Sequence, residues 1–250
     1  MGNLDREWSP AETFHFLSSL DRVPLDKPKL VPPSNNLLDK FKQPDGLVVW
    51  FRFIEGVGTT LRDFSGYGNH GTIYGARWTR YGGLTVLSFD GVDDYVTLPS
   101  MLHDDFTIMM LVYPFKDAHA EGEDYGLYNC EGTKGYVRIW QSDGYGNKFA
   151  MWVYDGSTVA SAYTSSPATP NKWHTIAFQR EGSKFRAFYN GVLERESEFT
   201  LEYGLGGPNH KIGWYGGKPP YYFPGLIALV CIYDQALNPE EIRALCKGLI

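Results

Sequence analysis

From Gly46 onward the chain alternates apolar and polar residues in short runs broken by Gly, Asp and Pro. Leu47–Phe53, Leu84–Phe89, Tyr95–Leu98 and Phe106–Tyr113 are rich in β-branched and aromatic residues and read as strands. Gly135–Gln141, Lys148–Tyr154, His174–Arg180, Lys184–Tyr189, Lys211–Trp214 and Gly225–Tyr233 repeat the pattern. Asn190-Gly191 is a hairpin signal, because both residues tolerate the positive φ of a type I′ turn. Only Asn238-Pro-Glu-Glu-Ile-Arg-Ala-Leu-Cys246 reads as a helix. There Asn238 caps, Pro239 takes the first position and Glu241 the third. So many strands with almost no helix predict an all-β domain of two stacked antiparallel sheets and a short C-terminal helix.

Residues 1–45 differ. Ser9-Pro10-Ala11-Glu12 predicts a short helix through Leu20, with Phe14, Phe16 and Leu17 as its apolar contacts. Val23–Pro33 is proline-rich and must run extended, and a second short helix is expected near Asn36–Lys42. The segment reads as an irregular N-terminal arm, 1–45, on a sandwich domain, 46–250. Such an arm lies either on its own sandwich or on neighbouring subunits of an assembly.

Composition adds limits. Of 250 residues, 43% are hydrophobic and 16% aromatic, enough to fill a sandwich core. The net charge of −6, without a basic run, argues against nucleic acid as a partner. No apolar run is long enough to span a bilayer. The polar start, Met-Gly-Asn-Leu-Asp-Arg-Glu-Trp8, lacks the apolar core of a secretory signal, so a location outside a cell implies another route or a signal that lies outside this sequence. Cys130, Cys231 and Cys246 are expected as free, buried thiols. A Cys231–Cys246 bridge is the alternative, and no CxxC metal pair occurs.

Several strings share one likeness. Asp63-Phe-Ser-Gly-Tyr-Gly-Asn-His-Gly71, Phe89-Asp-Gly-Val-Asp-Asp-Tyr-Val96, Phe106-Thr-Ile108 and Asn171-Lys-Trp-His174 occur in order. They are followed by Phe188-Tyr-Asn-Gly191, Lys211-Ile-Gly213 and Phe223-Pro-Gly-Leu-Ile227 through Ile232–Ile242. Over about residues 46–248 the chain resembles the laminin G-like, concanavalin A-like jelly roll. The resemblance implies about a dozen strands in two curved sheets, a fold that hosts lectins, adhesion modules, glucanases and virion proteins. It also implies a Ca²⁺ between the Asp63 turn and the final strand, a cation that wants six to eight oxygens. Asp63 is the candidate ligand, yet Ala228 stands where the family usually has an Asp, which removes a charge and a ligand. Otherwise Asp63 and Asn69 bond their own turn. Asp90, Asp93 and Asp94 read as turn-formers.

The chemistry of catalysis is missing from the pattern. The Glu-x-Asp-x-(x)-Glu strand of the fold's retaining glucanases does not occur. Glu194-Arg-Glu-Ser-Glu198 places three carboxylates on one strand face but reads as a wet edge strand. Glu121-Gly-Glu-Asp124 lies in a loop. The six histidines lack metal spacing, and no Gly-x-Ser-x-Gly elbow or phosphate-binding Gly loop appears. Aromatic loops remain: Trp214, Tyr215, Tyr221 and Tyr222 in one, Asp143 and Tyr145 in another. They form a candidate glycan patch, or else meet a neighbouring subunit or cover the sandwich ends. The sequence therefore predicts a non-enzymatic recognition or structural module. It would be a component of a virion or cell-surface assembly, anchored by residues 1–45 and offering loops for glycan or protein adhesion. The alternatives are a soluble lectin-like domain and a divergent β-glycosidase.

Overall fold

The computed structural model describes residues 44–100, 104–132, 135–201, 207, 209–216 and 221–247. The arm and both of its expected helices lie outside the described residues. In chain order the first elements are β1 (Leu47–Phe51), β2 (Thr60–Leu61), β3 (Gly71–Tyr74), β4 (Arg77–Tyr81), β5 (Leu84–Asp90), β6 (Tyr95–Leu98), β7 (Phe106–Pro114) and helix α1 (Ala118–Glu121). Then come β8 (Tyr125–Glu131), β9 (Tyr136–Ser142), β10 (Lys148–Tyr154), β11 (Val159–Pro167), β12 (His174–Glu181), β13 (Lys184–Tyr189) and β14 (Val192–Glu198). The chain closes with β15 (Asn209–Ile212), β16 (Trp214–Tyr215), β17 (Tyr221–Tyr222), β18 (Pro224–Tyr233) and α2 (Pro239–Lys247).

The first sheet runs β14-β13-β12-β7-β18-β5-β4, with β1 beside the second half of β18. The second runs β11-β10-β9-β8-β15-β6-β3-β2. All pairings are antiparallel, and the two sheets stack as the resemblance implies. Between them lies the main core, where Phe51, Phe89, Phe106, Phe149, Phe178 and Phe185 are fully buried. A second cluster covers the outer face of the first sheet, where Ile242, Leu245 and Cys246 of α2 pack with Tyr233 and Phe188. Cys130, Cys231 and Cys246 are free and buried; burial raises the Cys130 thiol to about 11 and the Cys246 thiol to about 12.

The hairpin and helix signals held at the atomic level. Asn190 and Gly191 take φ of 49° and 79° between β13 and β14. The Asn238 side chain accepts from the Glu240 and Glu241 amides at 3.0 and 2.9 Å, while Glu241 returns a bond to the Asn238 amide at 2.8 Å. The predicted strand Leu47–Phe53 stops at Phe51, because Phe53 turns left-handed with φ 52° and leaves the ladder. The predicted Lys211–Trp214 strand breaks at Gly213, φ 82°, into β15 and β16. Strands β3, β4, β8 and β11 escaped the pattern. β4 is a largely exposed, polar edge; β11 is built of small and hydroxyl residues; β8 carries a bulge beside Gly126.

Candidate carbohydrate-binding groove

The outer face of the second sheet carries an aromatic groove. On β9 the inward residues are Val137 and Ile139, so Arg138, Trp140 and Ser142 point outward. On β10 Phe149, Met151 and Val153 fill the core, leaving Ala150 and Trp152 outside. Register places Trp140 opposite Ala150 and Arg138 opposite Trp152. The small Ala150 leaves room for the two indoles to meet edge to face, 4.9 Å apart at 83°.

Two walls rise from this floor. One is the β9–β10 turn, fixed by buried Asn147, whose side-chain oxygen accepts from the Ala118 amide at 3.1 Å and whose amide donates to Ala168 at 3.1 Å. The turn presents Tyr145, which accepts a bond from the Trp152 indole at 3.0 Å and stacks on Tyr163 at 4.4 Å. The other wall is the β16–β17 hairpin, where Tyr215 stacks on Tyr221 at 4.7 Å and 19°. That hairpin lies directly on β8 at Gly126, where a Cβ would strike the backbone of Trp214, Tyr215 and Tyr221. Asp124, Arg138, Trp140, Ser142, Tyr145, Trp152, Tyr215 and Tyr221 thus line a cavity of about 530 Å³, within the usual range of small-molecule sites.

Its polar groups are few and fixed. Asp124 accepts from the Tyr215 hydroxyl at 2.8 Å and from the Asp143 amide at 2.9 Å. Burial, and then the Asp124 carboxylate, hold the Tyr215 phenol well above its ordinary range. Arg138 donates to Asn129 at 3.2 Å, lies 3.7 Å from Glu131, and covers Tyr136 with its guanidinium 3.9 Å from the ring centre. Trp140 is 3% exposed, and among the described residues its indole N–H finds no acceptor. An unmet buried donor is costly and calls for a partner.

The structure brings Tyr145, Tyr215 and Tyr221 to one cavity and separates the other three candidates. Asp143 sits behind the wall, its carboxylate 2.9 Å from His119 Nδ1, which raises the His119 pKa. Trp214 and Tyr222 point to the opposite side of the hairpin. Asp124, dismissed in sequence as a loop acid, is the groove's carboxylate. Trp140 and Trp152 were missed because aromatics were sought in loops; the signal was their outward phase within β9 and β10.

Elsewhere, Asp63 accepts four hydrogen bonds of 2.7–2.9 Å, from the Trp50, Ser65 and Asn69 amides and the Ser65 hydroxyl. Ala228 packs in the apolar cluster near α2. These two positions do not assemble the two-carboxylate calcium site that the resemblance implies. Asp90, Asp93 and Asp94 bring one oxygen each within 4.8 Å, while Asp90 and Asp94 accept amide bonds of their own turn. The Glu194–Glu198 carboxylates belong to β14 and none of them lines the groove, and Glu196 is held by Arg186 at 2.6 Å.

Residues 90–243 match the family profile described as the concanavalin A-like lectin/glucanases superfamily. The chain belongs to this superfamily. No curated protein matches the sequence. Among solved structures, this superfamily member is similar to domain 4 of AbnA, a GH43 extracellular arabinanase from Geobacillus stearothermophilus, solved with arabinotriose. The TM-score is 0.64 at 16% identity, over 80% of this chain and 98% of that one. It is also similar to the receptor-binding domain of a botulinum neurotoxin C/D mosaic, with TM-score 0.67, 13% identity and 82% of this chain. A third is a type C neurotoxin structure titled for entry dependent on two ganglioside molecules, with TM-score 0.64 at 14% identity and 82% of this chain. The chain spans about half the length of these toxin chains, 51% and 52%. At these identities the likeness is one of fold.

Proposed function

We propose that the chain is a non-catalytic carbohydrate-binding module that holds a neutral oligosaccharide in the groove of the second sheet. The carrying observation is the groove floor: two perpendicular indoles, one with an unmet N–H, between walls of stacked tyrosines. Flat rings take the C–H faces of sugars, and a few fixed polar groups orient the hydroxyls. Asp124 accepts, while Arg138 and the Trp140 N–H donate. Among the described residues no carboxylate pair shares the groove, so bond cleavage by two acids has no support there. The arabinotriose in the AbnA domain and the gangliosides in the toxin title agree with a sugar ligand on this fold.

Calorimetry with a panel of neutral oligosaccharides tests the reading. Trp152→Ala, which removes half the floor, should weaken binding about tenfold or more, as loss of a buried aromatic anchor does. A panel without a single binder contradicts it. The wider role in a virion or cell-surface assembly, with residues 1–45 as anchor, is a separate proposal. Deletion of 1–45 should abolish incorporation while the sandwich stays folded; normal incorporation contradicts it.

A further inference from the structure

The hairpin that walls the groove has a second side. Its pairs are Trp214 with Tyr222 and Tyr215 with Tyr221. Alternate strand residues face opposite ways, so Trp214 and Tyr222 turn toward β15, β6 and β3. On that part of the sheet Thr72, Tyr74, Tyr95, Thr97 and Lys211 share one outward face by register. Tyr74 and Tyr95 stack with centres 4.9 Å apart and planes 18° apart, and Tyr74 is exposed. Beside them the Lys211 ammonium lies 4.5 Å from the Tyr95 ring centre and 4.0 Å from that of Trp214.

Lys211 is an unusual cation. Among the described residues it has no ion pair and no hydrogen-bond acceptor; its polar contacts are the two rings. Burial lowers its pKa, and the field of Glu131 only partly opposes this. Ring faces answer the charge of an ammonium but not its three N–H donors. A half-buried cation with no direct ion pair among the described residues, its neighbour Glu131 already lying 3.7 Å from Arg138, beside a flat aromatic platform, is suited to a ligand that brings the anion.

We propose that this face is a second binding site, for an acidic sugar. The carboxylate or sulfate ester sits on Lys211, the C–H face of the ring lies on Tyr74 and Tyr95, and Trp214 with Tyr222 forms the side wall. Thr72 and Thr97 supply hydroxyls along the same row. The first groove differs in chemistry, since the charge of its cation, Arg138, is already balanced by Glu131, leaving it N–H groups for hydroxyls but no unpaired charge for an anion. The hairpin is thus a ridge between two sites of opposite preference, and the second does not depend on the first.

Calorimetry of the full chain with a uronate oligosaccharide, a sulfated one and their neutral counterpart tests the assignment. Wild type and Trp152→Ala should bind an acidic ligand alike, with affinity falling as salt rises. Comparison of the uronate and sulfated arms tells which anion is preferred. Lys211→Met keeps the stem, removes the charge and should lose about tenfold or more, the scale of one charge-assisted contact, while Lys211→Arg retains binding. Lys211→Gln serves the same purpose if the Met variant does not fold. The proposal is overturned if neither acidic ligand binds wild type. It is equally overturned if the folded charge-removed variant binds as well as wild type, or if the neutral sugar binds there equally.

Discussion

Single residues decide how the groove is held open. Glu194 is the clearest case: it sits at a β-bulge, since Ala187 pairs with Arg195 and Phe188 with Leu193. The extra residue frees its side chain to cross from the first sheet to the edge of the second. There it accepts from the Ser165 and Ser166 amides at 2.7 and 2.9 Å, and from the Ser166 hydroxyl. Its neighbour Arg195 covers Tyr163 at 3.7 Å, and Tyr163 in turn backs Tyr145. Glu194→Gln keeps the shape but loses the charge on three bonds, so a cost of about 1 kcal/mol is expected, read as a lower urea midpoint with unchanged slope. Sequence exposed Glu194 only as one of three acids on a strand, because a bulge changes which face a residue takes without changing its composition. The same holds for Asp143 and Asp124: they are polar turn residues, and tertiary contact alone shows that Asp124 faces the groove.

At the level of elements, the β16–β17 hairpin and β8 depend on each other. The hairpin backbone approaches so closely at Gly126 that only a glycine fits. Gly126→Ala should displace the hairpin, abolish the Tyr215–Tyr221 wall and destabilise by about 1–3 kcal/mol. A thermal melt and a binding titration check this, and a variant with wild-type affinity refutes the packing account. The strong signals in sequence came from elements whose stability is local, such as the Asn190-Gly191 turn and the capped α2. Strands β8 and β11 drew their identity from neighbours already in place, and a hairpin resting on a sheet face has no signature in its own short sequence.

For the whole molecule, acid should be a weakness. His210 is 1% exposed, between Tyr128 at 2.8 Å and Cys130 at 3.4 Å, and burial lowers its pKa to about 4. The unfolded chain binds this proton near pH 6.5, so stability is full above that pH and is lost as pH falls through about 4. The loss should reach about 3 kcal/mol, with His174, also lowered by burial, acting in the same direction. Melting temperatures from pH 7 to pH 4 should fall for wild type and fall less steeply for His210→Gln. The sandwich as a whole was legible because many weak motifs agree in order. The proposed groove was not, because outward aromatics on a strand look like core until the sheet partners are known. The most direct test of the groove is the Trp140 indole N–H signal in a heteronuclear NMR spectrum, assigned by its loss in Trp140→Phe. Addition of a bound neutral oligosaccharide should shift that signal. A saturating ligand that leaves it unmoved, while perturbing resonances elsewhere, contradicts the account.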